Sequence, residues 1–267
     1  MIRTTAILLI AAVAYAQEGE ADRVTVPFSD PSGAKRITCS LLHGSITVKT
    51  HSGNDVIVEA KSRGSRRRRS EPPAGMRRIG STATGLAIEE SNNVMKISAS
   101  TYSHSTDVNL QVPAGASLKL NTVDGGDINV EGVSGEIDVN NLNGNITVTN
   151  VSGAVVAHTL NGKLIVSLNQ VLPEKPMSFS TLNGNVDVTL PASTKANLKM
   201  KSDNGDIFSD FEIMLKPTTP QPAQEANTKD GKKYRVRFNK AMYGTINGGG
   251  PEMQFTTLNG TIYIRKK

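Results

Sequence analysis

Glycines 126, 135, 144, 153 and 162 each stand nine residues after the last. A fixed period of this kind points to a repeat architecture before any single element is considered. Aliphatic residues keep nearly one phase around these glycines, two before, two after and four after: Val133, Ile137, Val139, Leu142, Ile146, Val148, Val151, Val155, Ala157 and Leu160. The step of two predicts a strand with one face inward, with Glu136, Asp138, Asn145 and Thr147 on the alternate face. A run of hairpins would show the same nine-residue spacing. The wording of the corners decides between them. Val-Ser-Gly ending at 135 and 153 alternates with Leu-Asn-Gly ending at 144 and 162, so the true repeat is eighteen residues with two unlike corners. Each eighteen reads as one coil of an all-β, flattened two-sheet β-solenoid (β-helix- or β-roll-like), with one strand in each sheet.

Asn143-Gly144, Asn161-Gly162, Asn183-Gly184 and Asn259-Gly260 are the structural turns of this scheme. Positive backbone angles are expected there, because glycine has no side chain to clash and asparagine tolerates the left-handed region. From 162 to 184 the spacing widens to 22 residues, and from 184 to 205 it is 21, giving about 18–22 residues per coil. The additions, 171–176 and 191–196, fall where a Val-Ser-Gly corner was due. One edge is therefore expected to keep tight corners while the opposite edge bulges into loops.

Residues 1–16 read as a signal peptide: Arg3 is a short basic start, Ala6 to Val13 are apolar but too few to span a bilayer, and Ala14-Tyr15-Ala16 suits cleavage. The expected location is exported: periplasmic, cell-surface or secreted. Nothing after residue 16 is apolar enough for a membrane span. Residues 17–267 are read as a single solenoid domain with loop insertions at 61–83 and 216–233. Gly44 and Gly53 are again nine apart, but the aliphatics after Gly53 are displaced by one, which suggests a bulge. Arg265, Lys266 and Lys267 follow the last strand, where charge would discourage another chain from pairing with an open end.

Repeated Leu-Asn-Gly and Val-Ser-Gly corners, Gly-x-Ile-x-Val strands, a Val112-Pro113-Ala114-Gly115 turn ahead of them and a signal segment together resemble the bacterial exported "putative adhesin" domain family of unknown function. The resemblance covers roughly 37–264 and is firmest over 108–208. It implies a β-solenoid in an exported protein and brings no catalytic motif.

Residue chemistry adds little that points to catalysis. Calcium β-rolls need a carboxylate at the same place in each repeat, but the residues three after glycine are Asp138, Thr147, Val156 and Ile165. His43, His51, His104 and His158 show no metal-ligand spacing. Ser134 and Ser152 sit in corners where a hydroxyl bonds backbone, with no base tracking them. Cys39, the sole cysteine, falls in the inward phase and reads as a buried structural thiol. Asp127, Glu136, Asp138 and Asp187 either serve as acid and base of a polysaccharide-active β-helix enzyme or are ordinary outward residues. No cofactor is implied.

The formal charge of +6 is concentrated in one stretch. Arg63, Arg66, Arg67, Arg68, Arg69, Arg77 and Arg78 stand within 63–78 with one acid, Glu71, so the rest of the mature chain is close to neutral. These arginines are candidates for an anionic partner, either acidic polysaccharide or lipid headgroups, or they form a solvated loop. An exported chain without an aromatic stacking platform argues against nucleic acid. The sequence thus points to a non-enzymatic scaffold or adhesion-type binding module of the cell envelope or surface. Its expected ligand is a glycan or anionic polymer, with envelope proteins as further possible partners and the oligomeric state left open. A polysaccharide-active enzyme and a self-assembling envelope element are the alternatives.

Overall fold

The structure is a computed structural model that describes residues 22–63, 84–99, 105–217, 224–228, 231–235 and 241–267. The expected signal peptide 1–16 and residues 64–83 of the first insertion lie outside the described residues.

Among the described residues there are only strands, arranged in a ten-stranded sheet, an eleven-stranded sheet and a small two-stranded one. Eight coils each give one strand to each large sheet, and all neighbouring coils run parallel. Ile128, Ile146 and Leu164 stack in register and are fully buried, as the repeat requires. The row continues through Ile46 and Val108 on one side and Val186 and Ile262 on the other. Each such aliphatic contributes about 1.5–3 kcal/mol by leaving water, and the stack offsets the entropy of ordering the chain. Phe179 and Phe255 are fully buried in the core with ring centroids 5.2 Å apart.

The coils do not stack in chain order at the two ends. Glu252–Asn259 and Ile262–Lys266 insert between the coil of Met177–Asn183 and Val186–Leu190 and the coil of Ala196–Asn204 and Ile207–Ser209. At the other end, Arg36–His43 and Ile46–His51 lie between the coil of Ser117–Asp124 and Ile128–Glu131 and the coil of Val94–Ala99 and Ser105–Pro113. The expectation that 184 and 205 belong to adjacent windings is corrected. Any coil with the same corners fits any neighbour, so spacing along the chain does not fix stacking order.

Three further expectations change. Ile262–Lys266 is not an open edge: it is paired on both sides, and Arg265 is fixed by Asp187 through two hydrogen bonds of 2.8 and 3.0 Å. After Ile46–His51 there is no bulged winding; Val56–Arg63 runs antiparallel to Ser105–Pro113 and ends the parallel stack. His51 holds the reversal, its ring contacting the Gly53 amide at 3.1 Å and the Asp55 carbonyl at 2.8 Å. The 216–233 insertion is not loop throughout, since Gln224–Thr228 pairs antiparallel with Gly231–Arg235. Antiparallel strands also close the stack elsewhere: Asp22–Val26 on Val56–Arg63, Leu86–Ser91 on Val94–Ala99, and Met242–Ile246 with Met214–Lys216 beyond Ala196–Asn204.

Candidate functional site

The tight edge is built by contact between backbones. A Cβ on Gly162 would lie 2.1 Å from the Gly144 carbonyl oxygen, and one on Gly144 would lie 2.2 Å from that of Gly126. The corner asparagines do not adopt left-handed angles, and Gly162 has no positive φ. Gly144, Gly184 and Gly260 do carry the expected positive φ, at 159°, 156° and 159°, so the expectation is corrected for the asparagines and Gly162 only; close approach is what all four glycines share. The Thr159, Thr181 and Thr257 hydroxyls donate at 2.9–3.0 Å to the glycine carbonyl of the neighbouring coil. Beside them the side-chain amides of Asn204, Asn259, Asn183, Asn161 and Asn143 form a chain in that order, with each donating to the next at 2.7–2.8 Å. Gly184 and Gly260 continue the close stack, Gly184 over Gly162 and Gly260 over Gly184.

This arrangement reverses the expected phase at the corner. Thr159 and Asn141 point inward, whereas Leu142 is 41% exposed and Leu160, Leu182 and Leu258 share its outward row. The inward place must carry a donor, because the glycine carbonyl it faces is removed from water.

The opposite edge opens. Loops at 169–173 and 191–195 and the corner Gly249-Gly250-Pro251 enclose a cleft of about 490 Å³. Gly250 takes the place that Gly135 and Gly153 hold on other coils, its missing Cβ facing the Lys195 carbonyl at 2.4 Å. The Asn247 amide donates to the carbonyls of Ala192 and Thr194 at 3.1 and 2.7 Å and fixes the 191–195 loop. Asn169 is held by the Lys267 ammonium, which donates to its Oδ1 at 2.7 Å. Thr194 lines this cleft at 4% exposure, and its hydroxyl has no protein partner. The two loops were legible as insertions; that the glycine-rich corner joins them was not, because it depends on where the last coil inserts.

A second, smaller groove of about 330 Å³ is lined by Arg36, Lys119, Glu136, Asp138 and Lys175 with the 176 proline. Its carboxylates are matched: Glu136 to Lys175 at 2.9 Å and Asp138 to Lys119 at 3.6 Å. The hydrogen bond and charge of Lys175 hold Glu136 below the usual carboxylate range, the opposite of what a general acid requires. Asp187 is engaged by Arg265, and Asp127 accepts from the Asn145 amide at 2.8 Å.

Of the seven arginines, only Arg63 is described. Its guanidinium is paired with Asp107, with one bond of 2.6 Å, and donates to the Ser45 hydroxyl at 2.9 Å. Arg66, Arg67, Arg68, Arg69, Arg77 and Arg78 lie outside the described residues, as does His104. His158 meets the Ser180 hydroxyl at 2.8 Å, and His43 lies 3.6 Å from Asp124 in the corner row. The Ser134 hydroxyl donates to the Ala114 carbonyl, the backbone role expected of it. Cys39 is buried, and burial pushes its thiol up to about 12. Among the described residues no three His, Cys, Asp or Glu side chains gather as metal ligands, and no helix is long and apolar enough to cross a membrane.

One partly exposed aromatic pair was not legible in the sequence. Register places Phe208, 54% exposed, beside Tyr263 with ring centroids 5.7 Å apart, and Arg265 lies over Tyr263 at 5.0 Å. The strands that bring these rings together are 55 positions apart in the chain, so their pairing has no local signal.

The sequence matches the Toastrack DUF4097 family over residues 23–247. No curated protein matches it. Among solved structures it is similar to a "putative cell adhesion protein" from Clostridium sporogenes ATCC 15579, at 12% identity and TM-score 0.44, covering 93% of this chain and 100% of that one. It is also similar to a "putative adhesin" from Bacteroides fragilis NCTC 9343, at 9% identity and TM-score 0.38, covering 93% and 97%.

Proposed function

Because the chain belongs to the Toastrack DUF4097 family, we propose that it acts as a non-enzymatic, exported adhesion-type module that binds a glycan or anionic envelope polymer along a rigid rod. The observation that supports this reading most directly is the outer face of the eleven-stranded sheet. There Asn121, Asn140, His158, Ser180 and Thr256 stand side by side on successive coils. Strands about 4.8 Å apart set these donors and acceptors at a constant interval, and the backbone ladder holds them there before any ligand arrives. Such a surface suits a polymer of repeating polar units, because little ordering is required on binding. The paired carboxylates weigh against a polysaccharide-cleaving enzyme, and the arginine run adds an anion-binding element if it reaches the same partner.

The test is binding of the mature protein to isolated envelope material. Saturable binding that falls as salt rises, and weakens when Arg66, Arg67, Arg68 and Arg69 become serine, is the expected result. Failure to saturate, or release of soluble sugar from acidic polysaccharides, would overturn the proposal.

A further inference from the structure

Asparagine followed by glycine is the dipeptide most open to spontaneous loss of the side-chain amide, because no Cβ on the second residue hinders its backbone nitrogen from reaching the asparagine Cγ. Five such pairs share the tight edge: Asn143-Gly144, Asn161-Gly162, Asn183-Gly184, Asn204-Gly205 and Asn259-Gly260. The reaction needs the glycine nitrogen to give up its proton and the asparagine side chain to swing free of its partners. At four pairs the fold opposes both. The Gly144, Gly162, Gly184 and Gly260 amides donate to the carbonyls of Asn161, Asn183, Asn259 and Asn204 at 2.9–3.2 Å. The Oδ1 atoms of Asn143, Asn161, Asn183 and Asn259 each accept from the next asparagine of the row. The row stops at Asn204. Met242–Ile246 lies beyond that coil in the sheet but pairs only with its residues 196–200. Among the described residues nothing accepts from the Gly205 amide and nothing donates to Asn204 Oδ1, and Asn204, Gly205 and Asp206 are all exposed. Backbone angle does not set this pair apart, since Gly205 has a φ of 159°, as Gly144 and Gly260 do. A sixth pair, Asn247-Gly248, lies at the other edge with its side-chain nitrogen fastened to the Ala192 and Thr194 carbonyls.

We propose that Asn204-Gly205 is a site of spontaneous covalent modification, at which the folded protein converts asparagine to isoaspartate and aspartate while the stacked pairs stay locked. Hydroxide takes the Gly205 amide proton, and the nitrogen electron pair attacks Asn204 Cγ. The bond from Cγ to the side-chain nitrogen breaks, that nitrogen leaves as ammonia, and a succinimide ring remains. Water then opens the ring: addition at Cγ gives aspartate, and addition at the main-chain carbonyl carbon gives isoaspartate. No electrons change hands, and water is the only co-reactant. Either product loses the amide that donates to Asn259 Oδ1 at 2.8 Å. Isoaspartate also routes the main chain through the side chain, which turns the carbonyl that accepts from the Gly260 amide into a free carboxylate and breaks the Asn204–Asn259 register. The row therefore loosens from this end first.

The experiment incubates the mature protein in mildly alkaline buffer, folded and in urea, and follows all six pairs by peptide mapping with mass spectrometry. In the folded protein the Asn204 peptide should gain one mass unit and split into isoaspartyl and aspartyl forms. Its rate should exceed that of the four stacked pairs by about thirtyfold, the factor that two ordinary hydrogen bonds supply. In urea the six rates should draw together to within a few-fold. Hydrogen exchange gives a second readout: the Gly205 amide should exchange freely in fresh protein, and the Gly260 amide should lose protection once Asn204 has been converted. Asn204→Gln keeps a donating amide and should show neither early conversion elsewhere nor loss of protection at Gly260. Conversion of any other pair ahead of Asn204, an Asn204 rate no greater than those of the stacked pairs, or an Asn204 preference undiminished in urea would each overturn the proposal. So would a Gly205 amide as protected as that of Gly162.

Discussion

Replacing Gly162 with alanine tests whether the tight edge is held by backbone approach. The new Cβ would lie 2.1 Å from the Gly144 oxygen and 2.6 Å from its carbonyl carbon, so the corner must open by roughly 0.9 Å to bring that oxygen to a 3.0 Å contact. Three bonds cross this gap: the Gly144 amide to the Asn161 carbonyl at 3.0 Å, the Thr159 hydroxyl to the Gly144 carbonyl at 2.9 Å, and the Asn161 amide to Asn143 Oδ1 at 2.8 Å. Lengthened by that amount they cease to be hydrogen bonds, and at about 1 kcal/mol each the substitution costs about 3 kcal/mol. For a chain of this size that is a fall of about 6–12 °C in melting temperature. Two other glycines separate the possible causes. A Cβ on Gly115 meets nothing within 4 Å, so Gly115→Ala should be neutral or stabilise by about 0.4–1 kcal/mol. Gly248 also has open space but a φ of +85°, so Gly248→Ala isolates the dihedral penalty of about 1–2 kcal/mol. Thermal unfolding followed by far-ultraviolet circular dichroism gives the comparison. A Gly162→Ala midpoint level with that of Gly248→Ala would refute the close-approach argument.

Acid should remove the Arg63–Asp107 contribution. Burial raises the Asp107 pKa, but hydrogen bonds from Arg63 and the Ser45 amide outweigh it and hold the folded value below 3.8, so this stability is present above the unfolded value and lost as pH falls through the folded one. Asp107→Asn should therefore melt below wild type at neutral pH, with the two melting temperatures converging below about pH 3.8. Cys39 should resist thiol reagents at about pH 8 in the native protein and react fully once it is unfolded, since burial places its pKa at about 12. Reaction in the folded state at the rate of a free thiol would contradict that placement. Removing residues 252–267 takes out an inner coil rather than an end one, so hydrogen exchange should show loss of protection across 196–209 as well. Retained protection there would mean that the coils stack in chain order after all.

What the sequence made legible was whatever repeats at short range. Ile128, Ile146 and Leu164 are eighteen residues apart and stack directly, so period, sheet count and core row could all be read from spacing. Two kinds of information were absent. The first is stacking order: Asn259 meets Asn183 on one side and Asn204 on the other, yet nothing in Thr-Leu-Asn-Gly distinguishes those neighbours from any other coil. The order depends on where antiparallel strands such as Val56–Arg63 and Met242–Ile246 close the stack, contacts made across many residues with no local period. The second is the corner phase. Leu142 looked inward because it is apolar, while the structure turns it outward and buries Asn141 beside it. Thr122, Thr159, Thr181 and Thr257 recur two residues before the corner's last strand residue, all buried and all donating to a glycine carbonyl. A polar residue recurring at one phase of a repeat is thus a sign of a buried donor facing a backbone acceptor. The same logic makes Thr194 conspicuous, because it is a buried threonine at the other edge for which the fold supplies no acceptor.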